Sequence, residues 1–147
     1  MPSSQTKTAS LALGDAVGDQ IASVFTSEGY ADADDRVWRE APRSGTPYPF
    51  AVFNVRETPS LLMGNKDDDP VTGTVTIRVH GKDDVTVNQI GGAIQESLVQ
   101  KSNKPSVSGW RVVWHDLLFH EPLNDIREDA PNIYGRVLEI QYELDPN

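Results

Sequence analysis

The chain has 147 residues, no cysteine, 24% charged residues and a formal net charge of −9. This is the length of one domain, able to bury roughly 70% of the surface exposed when unfolded, and its composition is globular rather than disordered. Disulfides, thiolate zinc sites, iron–sulfur clusters and cysteine nucleophiles are excluded, and the acidic balance disfavours general attraction to nucleic-acid phosphates.

An acidic surface repels DNA. That property serves solubility alone, or a protein past which DNA must slide. The longest apolar runs are a few residues, and the opening MPSSQTKTAS has one Lys and no apolar block after it. Neither a membrane span nor a signal peptide is expected, so cytosolic synthesis follows.

Residues 1–10 are polar and small and are expected to form an arm, leaving 11–147 as a single α+β domain. From Ala9 to Glu28, the residues Leu11, Leu13, Val17, Ile21, Val24 and Phe25 recur at helical spacing. Gly29 is placed to stop this helix, and Ser10 or Asp15 to cap it. An acidic turn, Asp32 to Asp35, precedes a short strand, Arg36 to Glu40, and a Pro/Gly-rich loop from Ala41 to Pro49. A strand from Phe50 to Glu57 follows, ending before Pro59. Residues 60–70 form a polar excursion apart from Leu61, Leu62 and Met63.

Val71 to His80 has the clearest period of two, with Val71, Gly73, Val75, Ile77 and Val79 on one face. A second helix runs from Val85 to Lys101 on the stripe Val87, Ile90, Ile94 and Leu98, with Asp84 or Thr86 as cap. Gly91 and Gly92 lie inside it, where each costs about 1 kcal/mol against Ala. A close backbone approach to a neighbouring element is the expected compensation. Gly109 to Phe119 reads as a strand with Trp110, Val112 and Trp114 on one face and a bulge near Asp116. After an acidic loop, Glu121 to Asn132, the strand Tyr134 to Leu144 completes a hairpin. Runs of antiparallel strands with two helices predict a sheet of about five strands covered on one face.

No reactive constellation emerges. His80, His115 and His120 lack the spacing of a histidine metal site and read as solvated or hydrogen-bonded loop residues. Asp67-Asp68-Asp69 is followed by Pro70 and lacks a calcium loop's alternating ligands. Nucleophile elbows and phosphate-cradling loops are missing. No catalytic residue, metal or cofactor is assigned.

Several local patterns do carry a likeness. They are the amphipathic first helix, Arg36-Val37-Trp38 leading to Pro47-Tyr48-Pro49-Phe50-Ala51-Val52-Phe53, the run Thr74 to His80 before the Ile90–Leu98 helix, and the closing Tyr134 to Ile140. In these the chain resembles the tail-terminator, or tail-completion, proteins of long-tailed bacteriophages with non-contractile tails, over about residues 10 to 145. The resemblance implies a homohexameric ring in the virion that caps the tail tube, ends its growth and offers a surface to the head connector. Its implied partners are itself, the tail tube protein and the head-completion protein, with DNA passing through the lumen and no membrane involved. A different neck or connector protein, and a free-standing small-molecule-binding or hydrolytic α+β domain, are the alternatives.

A closed ring needs a heterologous interface, and such interfaces bury aromatic and aliphatic anchors. Trp38, Tyr48, Leu61, Leu62 and Met63 are candidates, with burial in the chain's own core as the competing role. Asp67, Asp68 and Asp69, together with Glu121, Asp125, Glu128 and Asp129, are expected to face a pore or a docking surface.

Overall fold

The computed structural model describes residues 8–59, 71–99, 105–123 and 133–146. Along the chain these form α1 (Ala9–Ser27), a 3-10 turn (Ala33–Asp35), β1 (Val37–Arg39), β2 (Phe50–Pro59), β3 (Val71–Gly81), α2 (Asp84–Val99), β4 (Trp110–Pro122) and β5 (Tyr134–Pro146). The sequence anticipates every one of these helices and strands. The first seven residues of the expected arm, the whole 60–70 excursion, residues 100–104 with the expected end of the second helix, and residues 124–132 lie outside the described residues.

Helix ends follow from side-chain chemistry. Thr8, rather than Ser10 or Asp15, caps α1, its hydroxyl accepting from the Leu11 N–H at 3.3 Å. At the other end Gly29 takes φ +99°, the left-handed backbone that only glycine adopts without a Cβ penalty. Tyr30 N–H then reaches Phe25 C=O at 3.0 Å, and the two rings meet edge-on at 5.8 Å. Those contacts satisfy carbonyls the helix would leave open and staple its exit. In α2 the cap is Asp83, whose carboxylate accepts from the Val85 N–H at 3.3 Å and the Thr86 hydroxyl at 2.9 Å.

The strands form one sheet in the order β1-β2-β3-β5-β4. The β2/β3, β3/β5 and β5/β4 pairs are antiparallel, as expected, whereas β1 runs parallel to β2. The parallel pairing arises because the chain leaves β1 through a tight turn and doubles back before β2. Glu40, at φ 74°, is the centre of that turn, with Ala41 N–H on Arg39 C=O at 3.0 Å.

Both helices cover one sheet face. Val75, Ile77 and Val79 of β3 and Leu138, Ile140, Tyr142 and Leu144 of β5 are buried there against Leu13, Val17 and Ile21 of α1 and Ile90, Ile94 and Leu98 of α2. Each such side chain stabilises the fold by about 1.5–3 kcal/mol relative to exposure, so this interface dominates the packing energy. Tyr142 is wholly buried and its hydroxyl lies 3.5 Å from the Leu98 carbonyl; burial pushes the phenol well above the usual tyrosine range.

β4 departs from simple alternation. Its register against β5 slips twice, between Val112 and Trp114 and between Leu117 and Phe119, rather than once near Asp116. Each slip inserts one residue, so the inward sequence becomes Val112, His115, Leu117 and His120. Val113 with Trp114, and Leu118 with Phe119, are left exposed. Trp114 therefore lies opposite the face of Trp110 and Val112, which corrects the expectation that the three share one side. Glu121 also belongs to β4 rather than to the loop after it.

Candidate interaction surface

The uncovered sheet face is the place to look for function. One row crosses all five strands on it, Trp38, Val52, Arg78, Val137 and Glu121 by successive pairing. Its middle is polar, with Thr72, Thr74 and Thr76 of β3 beside Glu139, Gln141 and Glu143 of β5. Glu139 accepts from the Thr76 hydroxyl at 3.1 Å and lies 3.7 Å from Arg56.

At the β1–β2–β3 end this face sinks into a socket of about 250 Å³. Tyr48, Phe50 and Val52 line one side and Leu123, Ile133 and Tyr134 the other, with Arg78 and His80 also exposed to the space. The turn at Glu40 throws the 41–49 loop over this end and so positions Tyr48. The Tyr48 ring meets Phe50 at a tilt, with centroids 5.1 Å apart, and Phe50 meets His80 likewise at 5.2 Å. Lys82 sits over the Tyr48 ring at 5.5 Å, and Arg43 over the Trp38 ring at 5.1 Å. The Trp38 indole N–H is held by the Asp35 carbonyl at 3.0 Å. Among the described residues Arg43, Arg78 and Lys82 have no ion pair, unlike Arg36, which bonds Asp32 at 2.6 Å and, by that bond first, holds its carboxyl below the usual range.

At the opposite edge, Val113, Trp114, Leu118 and Phe119 form an exposed apolar strip, each side chain between 37% and 46% exposed. Asp116 lies between the two pairs, and Glu143 stands opposite Trp114. Arg111 and Asp145 close the far end as an ion pair of 3.2 Å. Unbroken alternation would have placed only half of this strip outward, so the sequence gives no direct sign of it.

Where β4 ends and β5 begins, a clamp ties both to α2. Arg136 Nε–H donates to His120 Nε2 at 2.8 Å, which requires the imidazole proton on Nδ1, 2.6 Å from Gln95 Oε1. Arg136 Nη1 also donates to Asn88 Oδ1 at 2.6 Å. Burial first, then the Arg136 charge, lowers the His120 pKa. Gly91 explains itself here: a Cβ on it would lie 3.2 Å from His120 Nε2 and 3.4 Å from Arg136 Cδ. Gly92 has nothing within 4 Å of its Cβ position, so the close approach accounts for one glycine of the pair.

The histidines are thus strand residues rather than loop residues. His120 is hydrogen-bonded, and His115 stacks flat on Tyr142 with ring centroids 5.8 Å apart on the helix side. Among the described residues no group of three or more His, Asp or Glu is placed to hold a metal ion, and no helix is long and apolar enough to cross a membrane. Of the interface candidates, Trp38 and Tyr48 are half-buried beside the socket on the open face, away from the helix-side core, and Glu121 is exposed. Leu61, Leu62, Met63, Asp67, Asp68, Asp69, Asp125, Glu128 and Asp129 lie outside the described residues.

The class these features define is an α+β domain, two helices on one face of a five-stranded, mostly antiparallel sheet, with exposed Trp114 and Phe119 on the other face. No protein-family model and no curated protein matches the sequence. Among solved structures, a chain of the "Virion of native gene transfer agent (GTA) particle" is similar over 95% of this chain and 99% of that chain, with a TM-score of 0.68 at 14% identity. At that identity the likeness is one of fold.

Proposed function

We propose that this chain is a structural protein of a phage-like virion, and specifically a tail terminator. In this reading it forms a homohexameric ring that caps the tail tube, stops its growth and presents a surface to the head connector. The observation that carries the proposal is the fold likeness to a virion chain along nearly the whole length of both proteins. The work needs no active site, which accords with a sheet whose distinctive groups are apolar and charged side chains on an open face. A net charge of −9 suits a conduit that DNA traverses without binding. The acidic segments 67–69 and 121–129 are assigned to the lumen or a docking face.

The test is deletion of the gene in the virus that carries it, followed by electron microscopy. Overlong tails are the expected result. Filled heads beside free tails of normal length would move the assignment to a neck connector, and unchanged particles would reject a virion role.

A further inference from the structure

The open face carries two features that the cap reading leaves unused. At one end, exposed Arg43, Arg78 and Lys82 surround an aromatic socket and lack ion pairs among the described residues. At the other, Trp114 and Phe119 protrude with their bulge neighbours Val113 and Leu118, flanked by Asp116 and Glu143, which also lack ion pairs among the described residues. Arg78 lines the socket together with Glu40, Lys82 lies over the Tyr48 ring in its wall, and Arg43 lies over the neighbouring Trp38 ring. Apolar side chains stay out of water only when something covers them, and an exposed apolar strip marks an interaction site.

We infer that the β4 strip of one copy seats in the socket of the next copy, so that the chain associates head to tail through these two surfaces. Trp114 and Phe119 supply the apolar anchors, Tyr48, Phe50 and Tyr134 receive them, and Asp116 and Glu143 approach Arg78, Lys82 and Arg43. Charge complementarity selects a second copy as occupant: strip against strip brings carboxylates together, and socket against socket brings together rims in which three cations outnumber Glu40. Strip and socket lie on different strands, so the contact is heterologous and repeats from copy to copy. Sheet twist turns successive strands by roughly 20–25°, and bulges add to it, so β4 and β1 look in divergent directions and need not close a face-to-face pair. The inference rests on the ring reading and gives that ring its contact.

The absence of cysteine makes the test clean. Ser44→Cys marks the loop over the socket, Arg111→Cys marks the strip, and exposed Ser23→Cys on α1 serves as control. Each variant is first checked for an unchanged thermal melt. Mixed at high concentration with a short bis-maleimide linker, the Ser44→Cys and Arg111→Cys proteins should join to each other well above the control pair of Ser23→Cys with Arg111→Cys. A protein carrying both Ser44→Cys and Arg111→Cys should give a ladder of trimers and longer species. Adding Arg78→Glu or Trp114→Ser should cut the yield by roughly fivefold or more, the scale of losing one good contact. Joining at the control level, a product that stops at dimers, or indifference to both substitutions would overturn the inference. Gene deletion reports separately: ladders with unchanged virions would remove the cap and keep the contact, and overlong tails without ladders would do the reverse.

Discussion

Gly91 and Gly92 offer a test of the clamp within two adjacent positions. Either glycine replaced by Ala gains about 1 kcal/mol of helix propensity. At Gly92 the new methyl meets nothing within 4 Å, so Gly92→Ala should stabilise the fold by about that amount. At Gly91 the methyl would lie 3.2 Å from His120 Nε2, and the ring cannot retreat, because Gln95 holds one side at 2.6 Å and Arg136 the other at 2.8 Å. Accommodation weakens a hydrogen bond to a charged donor, worth about 1.5–3 kcal/mol. The propensity gain is outweighed, and Gly91→Ala should be net destabilising by about 1 kcal/mol. At roughly 3 °C per kcal/mol for a chain of this size, the two variants should melt about 6 °C apart on opposite sides of the parent. Urea denaturation gives the same comparison as midpoint shifts at constant slope. Equal stabilisation by both substitutions would refute the rigid clamp, and so would an undiminished Gly91→Ala penalty once His120→Ala removes the ring.

Three further outcomes follow from the geometry. His120 takes up a proton less readily folded than unfolded, so its contribution is complete above a pH of about 6.5 and is lost as the pH falls below that value; urea midpoints from pH 8 to 5 should decline, and His120→Gln should flatten the upper part of that decline. Gly73→Ala places a Cβ 2.6 Å from Leu13 Cδ2 and should cost about 1–3 kcal/mol, partly recovered by Leu13→Val in a double-mutant cycle. Thr8→Ala should lose about 1 kcal/mol as the α1 cap, while Ser10→Ala should leave the melting temperature nearly unchanged.

The sequence is most informative where one side chain decides a local geometry. The alternation from Val71 to Val79 and the stripe of Val87, Ile90, Ile94 and Leu98 name their own buried faces, and Gly29 ends α1 as its position foretells. Features that depend on distant partners are less legible. Thr8 caps two residues before Ser10 and Asp83 one residue before Asp84, since several neighbouring hydroxyls and carboxylates could serve. The direction of three-residue β1 depends on how the 41–49 loop returns, which no periodicity records. Beyond the single bulge expected near Asp116, the number and exact places of the two bulges of β4 are not legible, because Val112-Val113-Trp114 and Leu117-Leu118-Phe119 are apolar throughout and the run cannot show which residue the ladder omits. For that reason the socket-side residues Trp38 and Tyr48 stood out in the sequence, whereas Trp114 and Phe119 were hidden in an apparently ordinary strand.

The clamp of His120 and Arg136 also has a mechanical meaning. The residues between Leu123 and Ile133 connect β4 to β5, and the two strand ends that flank them are bonded to α2 through Gln95 and Asn88. A tensile force arriving through that connection cannot simply peel β4 from β5 one rung at a time. It is divided between the strand ladder and the helix, whose buried stripe passes it into the middle of the sheet. The clamp thereby couples the ends of β4 and β5 to the helix as well as to each other.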